Sequence, residues 1–244
     1  MEWCDNAVIL GVRAHNETNA IVELMTHAHG RHLGLVKRGR SQHMQSLMQA
    51  GNCVVARWWA RLEEHIGIFR LEMEDCSAAR IMQTPLALYG LQTIVAHLRL
   101  LPERDPYPML YESLQLLLKY FAIPILAGEI LTRFEMQLLK ELGFGLDLTC
   151  CAVTGIREDL AYVSPKSAQA VSRPIGLPWK EKLLILPSFL YKPNCHPTSF
   201  DDIHDGFRLT GFFLSRHIWG PYGLMAPSFR KCFIKQLLCE VTFL

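Results

Sequence analysis

The sequence predicts an α+β chain, a small β-barrel of the OB type followed by α-helices, on three observations. Five short β-patterned runs with glycine at their bends fall within residues 5–76, a spacing that suits a five-stranded barrel whose outer face can hold single-stranded nucleic acid. After Asp75 the apolar residues change to a period of three and four, the period of helices. Between Glu23 and Glu63 no carboxylate occurs, while Arg31, Lys37, Arg38, Arg40, Arg57 and Arg61 all carry positive charge.

Residues 7–13 form a first strand, 16–19 a turn of Asn and Thr, and 20–26 a second strand rich in β-branched residues. A turn at 28–30 leads to a third strand at 31–37, a break at 39–41, a fourth strand at 52–61 and a fifth at 66–72. Residues 42–50 read equally as helix or loop. Thr84 and Pro85 are a cap and first-turn pair for a helix over 85–101, which Pro102 stops. Residues 102–108 are loop, 109–120 a second helix, and 126–142 a third that ends at Gly143, where a C′ glycine belongs. Beyond Leu146 the chain is rich in cysteine and proline, with a helical segment near 206–219. The tail from Phe229 reads either as a last helix on the bundle or as a partly ordered end. The change of period divides the chain into a barrel domain, 1–79, and a helical domain, 80–244.

With 244 residues, half of them apolar, the chain has enough side chains for a sizeable core. No apolar run reaches the roughly 18 residues of a membrane helix, and the first residues lack the basic and apolar regions of a secretory signal. A cytoplasmic protein without a membrane partner is therefore expected, with its eight cysteines as thiols. A zinc set built from Cys150, Cys151, Cys195 and His196 is disfavoured, because neighbouring cysteines seldom point at one metal and no second ligand pair stands at the usual spacing. Phosphate-binding loops, dinucleotide fingerprints and nucleophile elbows are all missing, which argues against an enzyme. The acidic groups at Asp201, Asp202 and Asp205, and at Glu72, Glu74 and Asp75, could in principle hold Mg²⁺ as a nuclease does, but read better as solvated turns and strand ends. His27, His29 and His32 are expected to supplement the basic surface.

Net charge is only +2, so the notable feature is segregation of charge. The run from His29 to Arg40 is either a solvated basic hairpin or a polyanion site. Alternation along the fourth strand puts Arg57, Trp59 and Arg61 on one face and Trp58 with Ala60 on the other. A tryptophan between two arginines is a stacking platform for unpaired bases, or else Trp59 packs under a loop with its neighbours solvated.

Two stretches resemble one family. G-R-H-x-G-L-V-K-R-G-R at 30–40, preceded by Thr26, is similar to its strand pair, and R-F-E-M-Q-L-L-K-E-L-G-F at 133–144 to its F-E-x-x-L-L-x-x-x-G-[YF] helix. Residues 47–51, 59–62 and 146–155 fall in the expected order. The family is RecO, bacterial recombination mediators of DNA repair. The resemblance implies an N-terminal OB-fold domain and a helical domain with a zinc-finger-like insertion at about 146–195. It implies binding of single- and double-stranded DNA and annealing of complementary strands. With RecR, such a protein loads RecA onto DNA coated by the single-stranded-DNA-binding protein SSB, without nucleotide hydrolysis; the alternative is a docking adaptor for SSB and RecR that binds DNA weakly. The implied DNA-binding set is Arg31, Lys37, Arg38, Arg40, Arg57, Trp59 and Arg61, and the implied SSB-tail residue is Arg133; paired with Glu129 or Gln137, Arg133 would instead be an ordinary helix-surface residue. Where many members carry C-x-x-C-G, Cys151-Ala-Val-Thr154-Gly155 stands, and the later pair is replaced at Ser172 and Ile175. At most one ligand survives, so the insertion is expected to be degenerate, held by packing, with no cofactor.

Overall fold

The computed structural model describes residues 1–192 and 198–242, and the chain divides into two compact units, Met1–Ala122 and Ile123–Leu244. In the first, β1 (Glu2–His15), β2 (Asn19–Thr26), β3 (Gly30–Val36), β4 (Cys53–Trp59) and β5 (Ile68–Asp75) close a barrel in the order β1-β2-β3-β5-β4. Neighbours are antiparallel except β3 and β5, which meet in parallel at Leu35 and Ile68. β1 is longer than its apolar pattern suggests because it serves two partners, β2 and β4, with a bulge between Ile9 and Gly11 that bends it. Asn16 turns the chain into β2 at φ +55°, its Oδ1 accepting from the N–H groups of Thr18 and Asn19.

Strict alternation fills the barrel: β3 turns His32, Gly34 and Val36 inward, and β4 turns Val54, Ala56 and Trp58 inward. Two glycines make room for the largest rings. A Cβ on Gly34 would lie 2.3 Å from the Phe69 ring, and one on Gly67, whose φ is +67°, 2.1 Å from Trp58 Nε1. The 42–50 segment is neither a full helix nor a free loop. It makes one 3₁₀ turn, Gln42–Met44, and lays Met44, Leu47 and Met48 against the barrel core.

Helices α1 (Ser77–Ile81), α2 (Pro85–Leu98) and α3 (Pro108–Tyr120) follow. Thr84 caps α2, its hydroxyl accepting from Ala87 N–H. The expected division at 79/80 marks where strands give way to helices, but the compact unit runs on to Ala122. Side chains explain why. Asn52 Oδ1 accepts from Ala78 N–H, Arg99 reaches back to Glu23, Arg31 donates to the Leu101 carbonyl, and Arg104 donates to the carbonyls of Glu63 and His65. These polar ties join α1, α2 and the segment after it to the strands.

The second unit opens with α4 (Pro124–Glu141), which ends in a Schellman turn: Phe144 N–H donates to the Leu139 carbonyl and Gly143, at φ +85°, to that of Lys140. A small sheet of order β7-β6-β8 is built from β6 (Leu160–Val163), β7 (Ala170–Ser172) and β8 (Leu184–Ile185), with the single turn α5 (Arg173–Gly176) between β7 and β8. It lies within the expected insertion. Helix α6 (Phe200–Leu214) runs into a π turn, Ser215–Trp219, and α7 (Ser228–Thr242) closes the unit. The tail is thus a packed helix, with Phe233 and Leu237 fully buried.

Asp201 and Asp202, expected in a loop, stand in the first turn of α6. Ser199 and Asp202 form a reciprocal capping box, so the acid serves the helix terminus. Among the described residues no helix is long and apolar enough to cross a membrane.

Candidate nucleic-acid interface

The outer face of β4 and β5 gathers the exposed groups. Arg57 and Trp59 point outward on β4, Arg61 is exposed in the bend beyond the strand's end, and Trp59 is 54 % exposed while Trp58 is 2 % exposed. Trp59 therefore lies open, and packing beneath a loop is ruled out. Trp58 is fixed from inside by donating its Nε1–H to the Ile66 carbonyl at 3.0 Å, which sets the facing of its neighbours.

Strand register adds a cation that sequence reading missed. Arg70 of β5 stands directly opposite Arg57 of β4, and Ile68 opposite Trp59. Arg57 Nε lies 4.0 Å from Glu72 Oε1, with both side chains more than half exposed, a pairing worth little in water. Lys37 lies in the turn that follows β3, one residue past the strand's end at Val36, with its side chain exposed.

Lys37, Arg38 and Arg40 occupy an exposed turn whose backbone is held at several points. Arg38 has φ +54° and donates its N–H to Asn19 Oδ1. Arg40 donates its N–H to the Thr18 carbonyl and its Nη1–H to that of Asn16. The turn is therefore braced by the β1–β2 hairpin while the side chains of Lys37 and Arg38 extend into solvent.

Arg31 does not join this set. Its side chain is only 12 % exposed and donates to Glu23 Oε1 at 2.9 Å and to the Leu101 carbonyl, with Glu103 at 3.4 Å. Arg99 donates to the other oxygen of Glu23 at 2.7 Å. Glu23, Arg31, Arg99 and Arg13 line a cavity of about 440 Å³ outside β1, β2 and β3, where the buried Glu23 carboxylate bridges Arg31 and Arg99.

The histidines depart from expectation too. His32 is buried among Trp3, Trp58 and Phe69. His29 stacks on Trp3 at 4.2 Å and lies 3.1 Å from Asp5, and His27 packs edge-on to Tyr111.

In the second unit, Arg133, Met136, Gln137 and Lys140 recur at i, i+3, i+4 and i+7 and form one stripe on α4. They line a groove of about 790 Å³ with Leu146, Leu148, Leu190, Arg157 and Lys192. Its lining carries four cations, several apolar side chains and no carboxylate. The Arg133 guanidinium lies 5.7 Å over the Phe189 ring, while Gln137 donates to Glu141.

Cys151 and Ser172, one from each degenerate metal-ligand pair, do come together. Cys151 Sγ accepts from Ser172 N–H at 3.3 Å and from its hydroxyl at 3.4 Å. Burial pushes the thiol up, but these bonds, with others from Thr154 and the Val153 N–H, outweigh it and bring the pKa down to about 6. One sulfur among hydroxyls does not fit a structural zinc, which takes four thiolate or imidazole ligands. Among the described residues no group of three or more metal-ligating side chains converges; Cys195 and His196 lie outside the described residues.

Comparison with known proteins agrees with this architecture. Residues 1–73 match the family model for the recombination protein O N terminus and residues 83–224 that for its C terminus. The chain is 55 % identical over 235 residues to the DNA repair protein RecO of Bartonella bacilliformis, covering 96 % of both chains. It is 55 % identical over 237 residues to RecO of Brucella abortus, covering 97 % of this chain and 96 % of that one. With RecO of Bartonella quintana the identity is 57 % over 230 residues, or 94 % and 95 %.

Proposed function

The chain belongs to the RecO family of DNA repair proteins, and from that premise we propose that it is a cytoplasmic recombination mediator which binds single- and double-stranded DNA and anneals complementary strands. Such a protein acts by affinity alone. Cations that gather two strands lower their mutual repulsion, and pairing follows without nucleotide hydrolysis. The observation that carries the reading is Arg57 and Arg70, opposite one another on β4 and β5 beside the exposed Trp59, with exposed Lys37 and Arg61 in the turns that follow β3 and β4. Phosphate contacts of this kind contribute affinity with little sequence choice and a steep dependence on salt. Cooperation with RecR in loading RecA onto SSB-coated DNA belongs to the same proposal.

The test is oligonucleotide binding across a salt series. Changing Lys37 and Arg38 together to alanine is expected to weaken binding on the order of 10-fold at low salt and to lower the single-strand salt slope by about 1.4, or about 0.7 per phosphate contact. Unchanged affinity at every salt concentration would reject the site.

The groove along α4 favours a second activity on the same chain, docking of the acidic, apolar C-terminal tail of SSB. Four cations around an apolar floor complement such a peptide, and a guanidinium suits its terminal carboxylate. Arg133→Ala is expected to weaken binding of an SSB tail peptide at least 5-fold by fluorescence anisotropy, with oligonucleotide affinity unchanged. Tail binding at wild-type strength in that variant would place the peptide elsewhere.

A further inference from the structure

We propose that the outer face of β4 and β5 is a two-row seat for unpaired nucleic acid, with a base stacked on Trp59 and its neighbouring phosphate held between Arg57 and Arg70. The inference rests on the DNA-binding reading above and adds both a contact residue, Arg70, and a preference for single strands.

Two adjacent rows of the sheet carry different chemistry. The first reads Glu2, Trp59, Ile68 and Leu35 across four strands, and the second Cys4, Arg57 and Arg70 across three. Residues two apart on a strand are separated by about 7 Å, a distance that a base and its own backbone phosphate can span. Trp59 offers an open ring face, with the apolar side of Ile68 beside it, which suits an unstacked base and not the closed edge of a duplex.

The second row holds an electrostatic conflict. Residues directly opposite on antiparallel strands have Cβ atoms about 5 Å apart, and like charges there repel. Glu72 approaches Arg57 at 4.0 Å. Among the described residues Arg70 makes no ion pair or side-chain hydrogen bond, so the pair keeps excess positive charge on a solvent-facing surface. A single phosphodiester between the two guanidiniums would relieve the repulsion and accept from both. The cavity outside β1, β2 and β3 lacks this conflict, since Glu23 already bridges Arg31 and Arg99.

The pair's opposite effects on stability and binding supply the test. Arg70→Ala, Arg57→Ala and Trp59→Ala are each made in the full chain and compared with wild type by thermal unfolding and by binding of a single-stranded oligonucleotide and its duplex. Arg70→Ala is expected to leave the melting temperature unchanged or raised while single-strand affinity falls about 5-fold and the salt slope by less than about 0.7, since Arg57 still meets the shared phosphate. Arg70→Lys, which keeps the charge, should restore most of that slope. Trp59→Ala is expected to weaken single-strand binding about 10-fold with the slope intact, and duplex binding much less. The double variant Arg57→Ala, Arg70→Ala should lose less than the product of the single losses, because one phosphate is shared. Wild-type single-strand affinity in Arg70→Ala, or equal losses on single strand and duplex in Trp59→Ala, would overturn the seat. The broader DNA-binding reading would survive that result provided that the Lys37 and Arg38 variant still lost affinity.

Discussion

Replacing Arg230 with alanine is expected to destabilise the second unit by about 3–5 kcal/mol, the cost of stranding a buried charge. Arg230 comes from α7 and meets Glu135 of α4 through two bonds, Nε to Oε1 at 2.7 Å and Nη2 to Oε2 at 2.9 Å. The Glu135 side chain is fully buried. Arg230 also donates to the Phe207 carbonyl and the Thr210 hydroxyl, and Thr210 donates to Glu135, so α4, α6 and α7 share one polar knot. Alanine would remove the bidentate guanidinium from the buried carboxylate and open a cavity beside Phe207 and Trp219, over which the guanidinium now lies. Lysine would keep the charge but lose the bidentate fork. Replacing both partners together, Glu135→Leu with Arg230→Met, should recover most of the loss, since an apolar pair of similar volume carries no desolvation cost. Urea unfolding followed by circular dichroism measures each variant. A loss below about 1 kcal/mol for Arg230→Ala would show that the pair is not the strut described here.

The consequence reaches the α4 groove. Residues 133, 136, 137 and 140 point one way while 131, 134, 135, 138 and 139 point into the bundle, so the pair that anchors the inner face also sets the attitude of the outer one. Arg133 and Glu135 thus predict separable phenotypes from two residues on one helix. Loss of Arg133 should touch tail binding alone, while loss of the Glu135 partner should touch stability first.

Much of this was legible in the chain itself, and the misses share a physical cause. Period-two alternation puts Arg57 and Trp59 on one side of β4, because the face on which a side chain lies follows from local geometry, whereas Arg61 falls beyond the strand's end at Trp59. The capping residue Thr84 and the stop at Gly143 were equally local. Arg70 was missed because nothing within β5 marks it; only the antiparallel pairing brings it across from Arg57. The sequence alone leaves Arg31 on the surface because its partners are distant, Glu23 on the neighbouring strand and the Leu101 carbonyl beyond α2. Composition groups His32 with the cations, but the β3 alternation that turns Arg31 and Leu33 outward turns His32 inward. The division at 79/80 falls between the two family matches, while the compact unit runs on to Ala122, since an amphipathic helix announces an apolar face but not the surface on which that face lies.

His32 is expected to make the barrel acid-sensitive. Burial among Trp3, Trp58 and Phe69 is the main cause that lowers its pKa from 6.5 to about 4, with the positive charge of Arg104 acting in the same direction and the Leu33 carbonyl opposing it. Its Nδ1 is 3.0 Å from that carbonyl, so in the neutral ring Nδ1 carries the proton and Nε2 is bare. In the unfolded chain the ring takes up a proton near pH 6.5, whereas in the folded barrel it resists until about pH 4. Over that window the unfolded state binds more protons, so stability falls as pH falls, and below about pH 4 this contribution to the loss levels off. The full loss amounts to about 3 kcal/mol. His32→Phe keeps an aromatic ring in the cluster and removes the titration, so its stability should vary much less between pH 6.5 and 4. Urea unfolding at half-unit pH steps, monitored by tryptophan fluorescence because Trp3 and Trp58 border the ring, distinguishes the two curves. Parallel curves for wild type and variant would assign the acid lability to other groups. A wild-type curve that steepens while the variant stays flat would tie the integrity of the β4–β5 face to the neutrality of one imidazole packed behind it.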